Sequence, residues 1–282
     1  MNTVYVNKIK SNLKITTKRK TTNVIDGAYR SIYKGKSLNF DNLREYVLGD
    51  NIKDVDWKAS ARSHNLLIKQ YVAFKKHNVL LLMDNGKNML ANANLKDLKK
   101  DLALLAGGTI GYLAVNNGDY VATLNNSKYI SFKTGISHLE SILMNYDKSK
   151  FNDAYDLNQV LEFVLKHIKK RMIIVIITDL AGLDNVNEML LKKVIVLNDI
   201  LFINIDDVSM LSNLAFDIED NNYVPPFLIK DEYLCQIERN LKEQVSESVM
   251  SKLKKYGSSY VTIKNHDEVV IKIVDLLRRK HG

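Results

Sequence analysis

The chain has 282 residues, 46% hydrophobic and 26% charged, enough to bury a substantial core and too apolar for a disordered protein. Its single cysteine, Cys235, excludes an internal disulfide framework and any multi-cysteine zinc site. The formal charge of +9 is confined to one end: residues 1–78 hold 16 Lys and Arg against 6 Asp and Glu, a net of +10, and the rest holds 25 against 26.

The first 20 residues carry Lys8, Lys10, Lys14, Lys18, Arg19 and Lys20 with no acid. Such a basic arm suits nucleic acid, an anionic membrane face or an acidic protein surface; the favoured alternative is a merely solvated flank. Val4, Val6, Ile9, Leu13 and Ile15 alternate weakly, which reads as a strand or a loose arm. Residues 1–10 lack the apolar core of a signal peptide, and the longest uncharged apolar-rich run, 102–115, is too short to span a bilayer. A cytoplasmic protein without direct membrane insertion is expected.

From 21 to 76, Gly27, Gly35 and Gly49 punctuate short segments bearing Tyr29, Tyr33 and Tyr46, which predicts turns and short strands. Residues 65–74 read as a strand leading towards Val79 and bordering the central sheet. The expected division is a basic arm with a β-rich module over 1–76 and an α/β domain over 77–282.

Residues 79–83 are five consecutive apolar positions, a strand buried on both faces, and the run ends on Asp84. Leu95, Leu98, Leu102, Leu105 and Ala106 then recur at helical spacing, with Lys96, Lys99 and Lys100 on the opposite, solvated side. The second half of this helix loses its polar face; Gly107, Gly108 and Gly111 there imply close backbone packing. A hairpin over 120–124 and 129–132 and helices over 136–146 and 157–169 follow. A second apolar strand, 171–178, ends on Asp179. A helix at 185–195, a strand at 200–205 ending in Asp206-Asp207, a helix at 231–256, a strand at 259–263 and a C-terminal helix from about 267 complete the series. Strands alternating with helices predict a doubly wound, mostly parallel α/β sheet, whose ligands sit beyond the carboxyl ends of the strands.

Three strands thus end in carboxylates, at Asp84, Asp179 and Asp206-Asp207. Such acids with nearby hydroxyls suit a hard divalent cation such as Mg²⁺; alternatively, each caps the helix that follows. A second constellation gathers Arg44, Asp50, Asp56, the only tryptophan Trp57, and Arg62. It reads either as bidentate pairs around an aromatic interface anchor or as a self-satisfied polar loop over a packed indole. Catalytic motifs are absent: Gly35-Lys36-Ser37 imitates the end of a P-loop, but Arg30 stands where its earlier glycine is required. The six histidines lack ligand spacing, and Cys235 falls on the apolar side of a helix.

Gly49-Asp50, Val55-Asp56-Trp57 and Ser60-Ala61-Arg62, followed by Leu66-Leu-Ile-Lys69 and a strand ending in Asp84, resemble the family known as domain of unknown function 58. The resemblance runs through about residue 205. It implies a von Willebrand factor A-like core with a metal-ion-dependent adhesion site, whose pattern is Asp-x-Ser-x-Ser with a later Thr and a later Asp. Here the first loop is Asp84-x-Gly86-x-Asn88, the later Asp is Asp179, and the Thr position falls near Tyr155-Asp156. The implied site is degenerate: Asp84, Asn88 and Asp179, with weak Mg²⁺ or Mn²⁺ at most, and Lys87 as a nearby positive charge.

The resemblance also implies a non-enzymatic adaptor that partners a MoxR-type AAA+ ATPase and a protein client; the expected working surface is Asp50, Asp56, Trp57 and Arg62 together with the crevice of Asp84, Asn88 and Asp179, read as a docking crevice. The alternatives are nucleic-acid or anionic-surface binding through the basic arm, which has few aromatics and no reading motif, and a metal-dependent hydrolase, for which no nucleophile or base can be named.

Overall fold

The computed structural model describes residues 3–16, 29, 39–63, 65–72, 76–125, 128–152, 155–208, 216–217, 222–223 and 232–279. Lys18, Arg19, Lys20, Arg30 and the Gly35-Lys36-Ser37 segment lie outside them. The chain divides into two units, Tyr33–Lys76 and the remainder, Met1–Ile32 with His77–Gly282.

Helix α1 (Val4–Thr16) belongs to the larger unit. Val6, Ile9 and Leu13, spaced three and four apart, form one buried stripe. This corrects the expectation of a strand or loose arm: the stripe has a helical period, and it packs on the helices that cover one sheet face.

The smaller unit holds strand β1 (Asn39–Glu45), helix α2 (Trp57–Ser63) and strand β2 (Leu67–Val72). β1 and β2 pair antiparallel as a separate two-stranded sheet, and β2 is not among the strands of the six-stranded sheet described below.

The larger unit continues with β3 (Asn78–Met83), α3 (Lys99–Asn116), β4 (Tyr120–Asn125), β5 (Lys128–Lys133), α4 (Ile136–Asp147), α5 (Leu157–His167), β6 (Ile173–Thr178), α6 (Leu180–Asp184), α7 (Glu188–Leu197) and β7 (Asp199–Ile205). After the two-residue strands β8 (Phe216–Asp217) and β9 (Asn222–Tyr223) come α8 (Glu232–Lys255), β10 (Ser259–Ile263) and α9 (Val269–Arg279). The sheet order is β10-β7-β6-β3-β4-β5, parallel throughout except for β5. This is the expected doubly wound α/β sheet.

One face carries Leu80, Leu82, Ile174, Ile176 and Phe202, packed with residues of α5, α7 and α8. On the other, α3 lies against the sheet. A Cβ on Gly107 would meet Met83 Sδ at 2.5 Å and one on Gly111 would meet Leu139 Cδ1 at 2.5 Å, so close packing does account for these glycines.

From β3 the chain moves outward to β4 and β5, then crosses back to β6 on the other side of β3. The carboxyl ends of β3 and β6 therefore flank the switch point of the sheet, where a crevice forms.

Candidate functional site

Asp84 follows β3 directly. Its backbone N–H donates to Ile177 O at 2.9 Å, which extends the ladder with β6 by one residue and fixes the carboxylate beside Thr178. Asp84 Oδ2 accepts the Thr178 hydroxyl, Oδ1 accepts the Gly86 N–H at 2.6 Å, and the Tyr146 hydroxyl donates to the Asp84 carbonyl at 2.8 Å. Burial pushes the Asp84 carboxyl up to about 6, although both hydrogen bonds favour the charged form.

Asp179 follows β6 and caps α6: its Oδ1 accepts the Gly182 N–H at 2.8 Å. The helix-cap reading of the strand-end acids therefore holds at Asp179. Its other oxygen, Oδ2, takes the ammonium of Lys99 at 3.0 Å, and the two side chains are only 4% and 3% exposed. Lys99 also pairs with Asp207, beyond the end of β7. Burial opposes its charge, but Asp179 and Asp207 outweigh that and hold the ammonium above its ordinary pKa. Asp206 turns instead to Lys242 at 2.8 Å and Lys264 at 3.8 Å.

The placement of Lys99 corrects the sequence reading, which set it on a solvated face and looked to Lys87 for positive charge. The helix begins at Lys99 itself, with Leu98 at its N-cap, and is buried on nearly every side. The apolar period starting at Leu95 thus does not set its phase.

The three residues of the implied metal set do come together. Asp84, Asn88 and Asp179 line one cleft of about 490 Å³, together with Tyr155, Asp156 and Asn158. The residues present do not fit a divalent cation. Gly86 supplies no side-chain oxygen, Asn88 is exposed, both oxygens of Asp84 are engaged within the protein, and an ammonium already neutralises Asp179. Among the described residues, no three His, Cys, Asp or Glu side chains are arranged to ligate a metal. Sequence reasoning missed Lys99 and Thr178; the Thr-Asp pair closing β6 was the available signal for the second.

The smaller unit positions the other constellation. Arg44 grips Asp50 with two hydrogen bonds of 2.6 Å each, which holds the Asp50 carboxyl below its ordinary pKa. Asp50 also accepts the Val47 N–H at 3.0 Å. Asp56 caps α2 through the N–H groups of Lys58 and Ala59, at 3.1 and 3.0 Å. The Ser60 hydroxyl accepts the Leu67 N–H at 2.8 Å, tying α2 to β2. Trp57, the first residue of α2, is 64% exposed, so the reading of a packed indole does not hold. Arg62 is exposed on the same helix. Cys235 is half-buried on α8. Among the described residues, no helix is long and apolar enough to cross a membrane.

Uncharacterized proteins of Mycobacterium tuberculosis and Mycobacterium bovis are each 23% identical to the chain over 177 residues, 60% of this chain and 56% of theirs. The chain thus spans little more than half the length of these relatives. Among solved structures, the SpRpn10 VWA domain is similar at 15% identity and a TM-score of 0.34, covering 59% of this chain and 95% of that one. A family model described as "Protein of unknown function DUF58" matches residues 42–210, a span that takes in the Arg44–Asp50 pair, Trp57, and the ends of β3, β6 and β7. With more than half of its length matched by that model, the chain belongs to the DUF58 family.

Proposed function

We propose that the protein is a non-enzymatic, cytoplasmic adaptor that works with a MoxR-type AAA+ ATPase and a protein client, and that the smaller unit makes the ATPase contact through Trp57. The observation that carries this reading is the exposure of apolar side chains in the family-matched stretch. Leu48 is 98% exposed, Trp57 64%, Ile52 63% and Val47 62%. Exposed apolar residues gathered in one short stretch mark interaction sites more often than chance surface, and tryptophan and arginine lead interface hot spots. The Asp56 cap and the Arg44–Asp50 fork hold the backbone that presents them, so little order has to be gained on binding.

The chemistry of the cleft supports the non-enzymatic part. Lys99 is held as an ammonium and is no nucleophile. The oxygens of Asp84 and Asp179 serve internal hydrogen bonds.

Affinity capture of a MoxR-type ATPase by the wild type, Trp57→Ala and Asp84→Ala tests the reading, with each variant checked for folding by circular dichroism. Loss of capture on Trp57→Ala is expected. Undiminished capture by both variants sinks the assignment.

A further inference from the structure

We infer that Lys99 is a resident cation: its ammonium takes the charge-balancing place that a divalent ion would hold among the strand-end acids, and the cleft keeps its shape without metal.

The geometry is specific. Lys99 is the first residue of α3, and its Nζ reaches two carboxylates that follow two neighbouring strands, Asp179 after β6 and Asp207 after β7. Its backbone is fixed as well: Lys99 N–H donates to Ala91 O at 3.0 Å, and the loop before it is closed by Ala93 N–H to Asp97 O at 2.9 Å. Asn94 Nδ2 donates to Lys264 O at 2.8 Å, just beyond β10. The ammonium is therefore delivered from a pinned loop.

The first turn of a helix is where the dipole disfavours a cation, and burial disfavours any charge. Lys99 meets both penalties, and its ion pairs with Asp179 and Asp207 offset them. A divalent ion at Asp179 would have to compete with this ammonium for the carboxylate. Mg²⁺ also requires near-octahedral oxygen ligation, to which Gly86 contributes no side chain. The inference goes beyond the adaptor reading and does not depend on it.

Two measurements on the full chain test it. The first titrates Mn²⁺ against the wild-type protein by electron paramagnetic resonance: the signal of the free aqua ion should persist undiminished. Saturable loss of that signal, abolished by Asp179→Asn, overturns the inference. The second is thermal unfolding. Lys99→Met should lower the midpoint by on the order of 5–10 °C by stranding the acids, and Asp179→Asn in that background should recover part of the loss. A Lys99→Met protein as stable as the wild type, or no recovery in the double variant, overturns it. If Lys99→Met does not fold, the Mn²⁺ titration of the wild type still decides.

Discussion

The ammonium of Lys99 lies 3.0 Å from Asp179 Oδ2, while Oδ1 of the same carboxylate accepts the N–H of Gly182. One side chain thus closes a buried ion pair and caps α6, and substitution separates the two roles. Asp179→Asn keeps an acceptor for Gly182 and loses the ion pair, and Lys99 retains Asp207. A cost of about 1.5–3 kcal/mol is expected, as for a hydrogen bond to a charged group. Asp179→Ala should cost about 1 kcal/mol more through the lost cap. Urea unfolding of both variants at neutral pH measures the difference; equal stabilities would remove the cap from the account.

Asp84 gives the pH dependence a sign. Its carboxyl is raised from 3.8 to about 6, so the folded protein holds this proton more tightly than the unfolded chain does. The contribution of the group to stability is greatest below pH 3.8, declines as pH rises, and carries its full cost above about 6. The gap corresponds to about 3 kcal/mol. Asn at this position can still accept from Gly86 and donate to Thr178. Asp84→Asn should therefore flatten the decline between pH 4 and 6 and gain on the wild type by up to about 3 kcal/mol at neutral pH. Parallel pH profiles for the two proteins would contradict this.

The central strands β3, β6 and β7 were legible because each is a short apolar run ending in a polar turn, the signature of burial on both faces. The acids at their ends were legible for the same reason. Lys99 was not, because a helical period extended back through Leu98 and Leu95 places it opposite the apolar side. The chain over 91–98 is a loop, and a helix as buried as α3 has no solvated side to offer. Helix α1 was misread although Val6, Ile9 and Leu13 have helical spacing, because Val4 and Ile15 suggested alternation. Helix α2 is only seven residues long, too short to show a period, and Asp56 as its cap was the one signal present. That Trp57 stands exposed is a tertiary fact, which no local pattern encodes.

Gly182 sits where a Cβ would lie 2.1 Å from Thr178 Oγ1, the hydroxyl bonded to Asp84. Thr178 is fully buried and has little room to turn. Gly182→Ala should cost about 1–3 kcal/mol by overpacking. It should also disturb Asp84, visible as a shifted carboxyl titration by NMR. Unchanged stability and titration would show that the end of β6 yields more than its packing suggests.

Helix α1 is held by a distant carboxylate. The N–H groups of Tyr5 and Val6 donate to Glu140 Oε1 and Oε2, each at 2.9 Å, and the Tyr5 hydroxyl donates to Asp147 at 2.6 Å. Glu140 thus caps a helix more than a hundred residues away in sequence. Glu140→Gln leaves one acceptor for two donors, with an expected cost of about 1–3 kcal/mol. Hydrogen exchange should show amides of 4–16 losing protection ahead of the sheet. Equal protection of these amides in both proteins would contradict the capping role.

Because Trp57 is the only tryptophan, 5-fluorotryptophan labelling gives the protein a single fluorine resonance placed on the proposed contact. Titrating this labelled chain with an unlabelled MoxR-type ATPase tests the adaptor reading most directly. The account predicts that the resonance shifts or broadens saturably and loses its solvent isotope shift as the exposed indole is covered. A resonance that stays unchanged throughout the titration would contradict it.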